Sequence, residues 1–447
     1  MTDDTTATDA STGERTTTET DADADWPPTD DGLVALADRL RERTHALETT
    51  DPAADLADLD PLVERLRDAR VVGLGEATHG TREFFRLKHR LLRLLVERLD
   101  YRLFALEANF AETLAIDEYV VHGRGDPRDA LDGIYFWTWD TEEVLALVEW
   151  LREFNDGRPV EDRVRFYGVD AQFTAGPAGA LLDFFDGRDA EWPDEHRDTL
   201  SMLADEGLKA DDPDEPADER VADAEAAVDA LGTWFDERSD DAVALHRRHL
   251  RTLDQAVGVN AAEHDDDVAT MATRRDRAMA DNVAWMLDHE PHDRVAVWAH
   301  DGHLQRGPRR MQWGEAPSMG SHLADRHGDD YYAVGFDFGG GEFQAMVETD
   351  DGHELAVCSL DPPPADAATR LFAAVGESCL FLDFDGATDD ERLAAWFDDE
   401  RSVRSLGAVY DADGEPDSAN ASYRLPEYFD GLVYVAETAR ARPIERD

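Results

Sequence analysis

Glu76 and His79 stand three residues apart in Gly75-Glu76-Ala77-Thr78-His79-Gly80, directly after the apolar run Val71-Val72-Gly73-Leu74. His300 and His303 follow Val295-Ala296-Val297-Trp298-Ala299 in the same manner. Glu107 closes Phe104-Ala105-Leu106, and Asp170 closes Tyr167-Gly168-Val169. Two chemistries use these residue types. In one, a neutral imidazole takes a proton from water while a carboxylate sets its tautomer and a second acid or imidazolium steadies the developing oxyanion. Histidine suits that work because it titrates near physiological pH. In the other, Glu76, His79, His300 and His303 hold a divalent metal that acidifies its bound water. The HxxH spacing permits a metal, but without the glutamate of a helical HExxH pattern it is a weak signal. There is no GxSxG elbow, P-loop or GxGxxG fingerprint.

These groups need elements to bring them together. Short apolar runs closed by glycine or polar residues read as buried strands at 71–74, 103–107, 164–169, 295–299, 332–338, 380–384 and 432–435. Helical periodicity fills most gaps, as at 81–99 and at 142–154, where Val144, Leu147, Val148 and Leu151 share one side. The alternation predicts an α/β fold with a mostly parallel central sheet flanked by helices. In such a sheet the strand ends lie along one edge, where ligands bind, so the polar groups above are expected to converge there. Between about 175 and 290 the strand signal gives way to acidic helices, read as a helical insertion or subdomain. Residues 1–26 offer little to bury and read as a disordered acidic tail, with 27–447 forming the catalytic domain. The acidic runs at 211–215 and 265–267 read as solvated loops, and Gly339-Gly340-Gly341 as a turn at the mouth of the pocket.

The bulk composition bounds the partners. The formal net charge is −58, from 102 acidic against 44 basic residues, and only Lys88 and Lys209 of the latter are lysine. A chain so acidic is a poor match for nucleic-acid phosphates. It reads instead as adapted to a salt-saturated cytoplasm, where molar salt shortens the Debye length to roughly 3 Å and screens self-repulsion. Cys358 and Cys379 lack CxxC spacing, the first residues lack a secretory pattern, and no run is long and apolar enough to span a bilayer. A cytoplasmic protein without membrane or nucleic-acid partners is expected. Oligomeric state is not legible.

Aromatics around Tyr135-Phe136-Trp137-Thr138-Trp139 are read as one wall of an apolar cleft, with Trp137 and Trp139 as substrate contacts. The arginines of Arg274-Arg275-Asp276-Arg277 are read as partners of the acidic surface.

The motifs Gly75–Gly80, Glu83-Phe84-Phe85 with Lys88, Leu106-Glu107, Trp137-Thr138-Trp139, Tyr167-Gly168-Val169-Asp170, Arg275-Asp276, Trp298–His303 and Met319–Leu323 occur in the order of the erythromycin esterase family, which the chain resembles over about residues 35 to 440. The resemblance implies hydrolysis of an ester or lactone, a macrolactone in the characterised members, without a covalent intermediate and without a metal or other cofactor. It implies His79 as general base beside Glu76, with Glu107, His300 and His303 completing the site. A basic position that is arginine in some esterases is Lys88 here, and Lys88 and Asp170 are expected at the substrate. A metal-dependent hydrolase and a binding protein without turnover are the alternatives.

Overall fold

The structure is a computed structural model that describes residues 30–187, 192, 194–205, 207–208, 217–238, 243–265, 267–311, 314–349, 352–411 and 419–446. The expected tail and the acidic run at 211–215 lie outside the described residues.

Period-two alternation in the central strands sends side chains to two separate apolar layers. Val71, Leu103, Ala105, Val295 and Val297 enter one layer, whereas Val72, Leu74, Phe104, Leu106, Ala296 and Trp298 enter the other. Burial on both faces is the reason these strands read as unbroken apolar runs. Helices Arg82–Arg98 and Glu142–Asn155 bury their apolar stripes on one face. Asp30–Arg41, Val268–His289, Met319–His327 and Ala368–Val375 cover the other.

Six strands run parallel in the order Gly431–Thr438, Tyr331–Thr349, Val71–Leu74, Val295–Trp298, Leu103–Asn109 and Arg165–Asp170. Cys379–Asp383 and then Thr44–Ala46 extend the sheet antiparallel at one edge. Each strand expected from the sequence is present. The sequence reading missed the edge strand Thr44–Ala46, the hairpin partner Gly352–Ser359, which is solvated along most of its length, and the short pairs Arg309–Met311 with Gly314–Ala316 and Arg401–Arg404 with Asn420–Tyr423. Half-exposed strands lack the apolar run that marks buried ones.

The expected turn at 339–341 is a correction. Those glycines lie inside the long strand Tyr331–Thr349 and do not line the pocket. They let the adjacent strand approach. A Cβ at Gly339 would come within 2.5 Å of the Tyr434 hydroxyl, and one at Gly341, whose φ is +111°, within 2.2 Å of the Thr438 carbonyl oxygen.

From 175 to 289 the described residues hold five α-helices and no strand, and the first four share an apolar cluster of their own that includes Leu181, Phe185, Leu203, Leu231, Trp234 and Leu253. Among the described residues, no helix is long and apolar enough to cross a membrane.

Candidate active site

In the central strands Leu74, Trp298 and Leu106 stand level with one another. The next residues of each strand therefore emerge side by side, which brings Glu76, His300 and Glu107 to one edge. Gly75 is required at that point, because a Cβ there would lie 1.9 Å from the Asp301 carboxylate and 2.7 Å from the Val334 carbonyl oxygen.

Glu76 is fully buried and each oxygen is engaged. Oε1 accepts from His79 Nδ1 at 2.7 Å; Oε2 accepts from Trp298 Nε1 at 2.9 Å and from the Lys88 ammonium. Since Nδ1 of His79 faces a carboxylate, it carries the proton, and Nε2 is left as the lone-pair nitrogen. Nε2 makes no hydrogen bond among the described residues, and His79 lines a cavity of about 410 Å³. Burial draws the imidazole pKa down, but the bond and charge of Glu76, with Glu107 adding to them, outweigh it and raise it above its ordinary value. Burial also opposes the charge on Glu76, yet Lys88 and His79 hold its carboxyl below the usual range.

Lys88 has no exposed surface and does not line the cavity. Its ammonium lies 4.1 Å from the Trp298 ring centroid, and burial pulls its pKa down to about 8 against the pull of Glu76. Expected at the substrate, Lys88 lies instead off the cavity lining as the counter-charge of Glu76. Its place is legible in hindsight, because it falls on the apolar stripe of its helix with Phe84, Phe85, Leu91 and Leu95.

Glu107 faces the same cavity. Oε1 accepts from Arg275 Nη2 at 2.8 Å and lies 3.2 Å from His303 Nε2, while Oε2 accepts from the His300 backbone N–H at 2.8 Å. Burial opposes ionisation, but His303 and Arg275 hold this carboxyl far below its ordinary range. His303 Nδ1 is 2.7 Å from Asp276 Oδ1, so the ring is set between two carboxylates. His300 is different in kind. Its Nε2 lies 2.9 Å from the Leu406 carbonyl oxygen and must donate, while Nδ1 accepts from the Gly302 N–H at 3.0 Å. Burial, reinforced by His79, lowers its pKa to about 3, so it is a neutral brace.

Asp170, also expected at the substrate, is not among the residues that line the cavity. It is fully buried behind Arg275 and receives Nε at 3.0 Å and Nη2 at 2.7 Å. Arg275 therefore pairs inward with Asp170 and Glu107, not with the acidic surface as expected. Trp139 lines the cavity and donates Nε1 to the Glu107 carbonyl at 3.0 Å, whereas Trp137 does not line it; Phe136 and Thr138 do. An alternation of this kind within an irregular segment has no period to read.

Asp276, Arg275 and Arg309 were absent from the residues expected at the site. Asp276 stands three before Met279 and seven before Val283, on the buried stripe of its helix, and a charged residue there was the available signal. Arg309 and Leu406 come from segments without strong periodicity, and only the folded chain brings them in.

The arrangement does not suit the metal alternative. Both nitrogens of His300 and both oxygens of Glu76 are already hydrogen-bonded within the protein, and among the described residues no three His, Cys, Asp or Glu side chains are grouped to hold an ion.

Similarity to known proteins bears on the family and the fold. The sequence profile described as erythromycin esterase matches residues 96–438. A Bacillus subtilis protein named as a putative hydrolase is 23% identical, covering 88% of this chain and 89% of its own. Erythromycin esterase type II of Escherichia coli is 26% identical, covering 78% and 89%. Among solved structures, a Bacillus cereus protein superposes with a TM-score of 0.78 at 24% identity, over 92% of this chain and 99% of that one. An erythromycin esterase mutant in its open conformation gives 0.69 at 19% identity, over 90% and 99%. The chain is a member of the erythromycin esterase family of hydrolases.

Proposed function

We propose that this hydrolase cleaves a carboxylic ester or lactone, a macrolactone among the candidates, by direct attack of water with His79 as general base. The observation that carries the reading is the Glu76–His79 pair, 2.7 Å apart at Nδ1, with Nε2 unbonded at a cavity of about 410 Å³. Water bound at Nε2 gives up a proton as its oxygen adds to the acyl carbon. The resulting tetrahedral species expels the alkoxide, which recovers that proton from Nε2, leaving acid and alcohol. Glu76 keeps its charge throughout, because Lys88 and the Trp298 N–H hold it; it steadies the imidazolium that forms. Glu107 is a second fixed charge at the cavity wall, suited to orient the water.

Erythromycin and a panel of simple esters and lactones, incubated with the protein and followed by mass spectrometry, test this. Addition of one water by the unaltered chain, with a loss of about 10²–10⁴-fold in rate for a folded His79→Ala variant, is the expected result. Undiminished hydrolysis by that variant would remove His79 from its role.

A further inference from the structure

The charge balance of the cavity wall is opposite to that of the whole chain. Acidic residues outnumber basic ones 102 to 44 overall, yet the side chains lining the cavity include three arginines, Arg275, Arg309 and Arg310, against the single carboxylate of Glu107.

The three arginines are not equivalent. Arg275 spends Nε and Nη2 on Asp170 and Glu107, and its Nη1 lies 3.3 Å from His303 Nε2. Arg310 is held at the rim by Glu400 at 2.6 Å and Glu315 at 3.3 Å. Arg309 uses only Nη1, which donates to Asp276 Oδ2 at 3.0 Å and lies 3.4 Å from His303 Nδ1. Its Nε and Nη2 make no hydrogen bond among the described residues. Neither is sealed from the cavity, and the side chain keeps 25% of its surface. Gly302 lies beside Nε, close enough that a Cβ there would stand in ordinary contact with it at 3.6 Å. Asp276 thus holds one end of the guanidinium, and the Nε–Nη2 edge of this cavity-lining side chain is left without a protein partner among the described residues. Such an edge matches the paired oxygens of a carboxylate or phosphate.

We propose that the substrate carries an oxyanionic group, a carboxylate or a phosphate, apart from the bond that is cut, and that Arg309 receives it. The acidic exterior does not forbid this, since its repulsion is screened beyond about 8 Å at physiological salt while a paired contact inside a cavity is screened far less. The cleavage step rests on the hydrolase reading above; the binding step does not, so the two are tested separately.

Binding is read by calorimetric titration of glutarate, its neutral diamide and inorganic phosphate into the full chain. Glutarate or phosphate should bind at least 10-fold more tightly than the diamide, the tighter of the two naming the group. Arg309→Gln should weaken that ligand about 10- to 100-fold, with Arg309→Lys in between because it keeps the cation and loses the fork. Hydrolysis is read with 4-nitrophenyl hemiglutarate against 4-nitrophenyl valerate, which differ in a terminal carboxylate; if phosphate is the ligand, the matched pair carries a terminal phosphate in its place. A preference for the anionic ester that collapses in Arg309→Gln supports the proposal. Equal binding of both anions and the diamide, or a selectivity that the folded Arg309→Gln and Arg309→Lys variants both retain in full, overturns it. Selective anion binding without ester cleavage would leave Arg309 in place and count against the hydrolase reading alone.

Discussion

Two histidines leave adjacent strands at the same edge of the sheet, with ring centroids 5.0 Å apart, and they are pushed in opposite directions. Both are buried, and burial lowers the pKa of each. His79 has a carboxylate at Nδ1 and ends above its ordinary value; His300 has a carbonyl oxygen and an N–H as partners and falls to about 3. Backbone dipoles fix a tautomer, whereas a full charge changes a proton affinity. The lesson is that residue type and strand-end position do not assign a role. The partner at the second nitrogen does. His79 presents an unbonded Nε2 at the cavity with a carboxylate behind it, while His300 ties the turn after Val295–Trp298 to Leu406, whose neighbours Ser405, Gly407 and Ala408 line the cavity.

The largest effect expected from breaking this contrast is that of Glu76→Gln. It removes the charge that distinguishes His79 and strands the buried Lys88 ammonium, for which a cost of about 3–5 kcal/mol is typical. Because Glu76 raises the His79 pKa, and a general base acts only when deprotonated, the acid limb of the kcat/KM profile should move to lower pH as the rate falls. An acid limb that stays in place while the rate falls would separate Glu76 from the tuning of His79. The same sign governs stability in the unaltered chain. The Glu76–His79 contribution is complete below pH 6.5, the ordinary histidine value, and is lost as pH rises through the higher folded value.

His300→Phe should do less. It leaves the Leu406 carbonyl and the Gly302 N–H without their partner, at about 1–3 kcal/mol. With the 405–408 wall released, KM should rise more than kcat falls, and hydrogen exchange at Leu406, whose N–H donates to Ala77 at 2.7 Å, should quicken. A loss confined to kcat, with exchange unchanged, would make His300 a participant in the chemistry.

The smallest effect is expected at Asp301, next in the chain. Burial lifts its carboxyl well above the ordinary range, and its oxygens accept from the Phe336 N–H at 3.1 and 3.2 Å. An amide reproduces that acceptance, and Asp301→Asn should change stability by less than about 1 kcal/mol in thermal unfolding. A large loss would mean that the acid is charged and paired, as Glu76 is.

Much of this architecture is legible in the chain. Strands buried on both faces must be apolar throughout, so each of the central strands announces itself, and with parallel pairing their ends must share an edge. Glu76, His79, Glu107, His300 and His303 follow from that logic alone, and the order of motifs identifies the family. Tertiary structure decided the rest, because a hydrogen bond depends on a neighbour that can lie hundreds of residues away. Lys88 is a substrate contact or a counter-charge according to whether Glu76 stands beside it, and Asp170 according to whether Arg275 lies in front. His300 is a base or a brace according to where Leu406 falls. Sequence spacing determines which groups arrive at the edge of the sheet; the contacts made after arrival determine which of them keep a proton, which lose it and which are left facing the cavity.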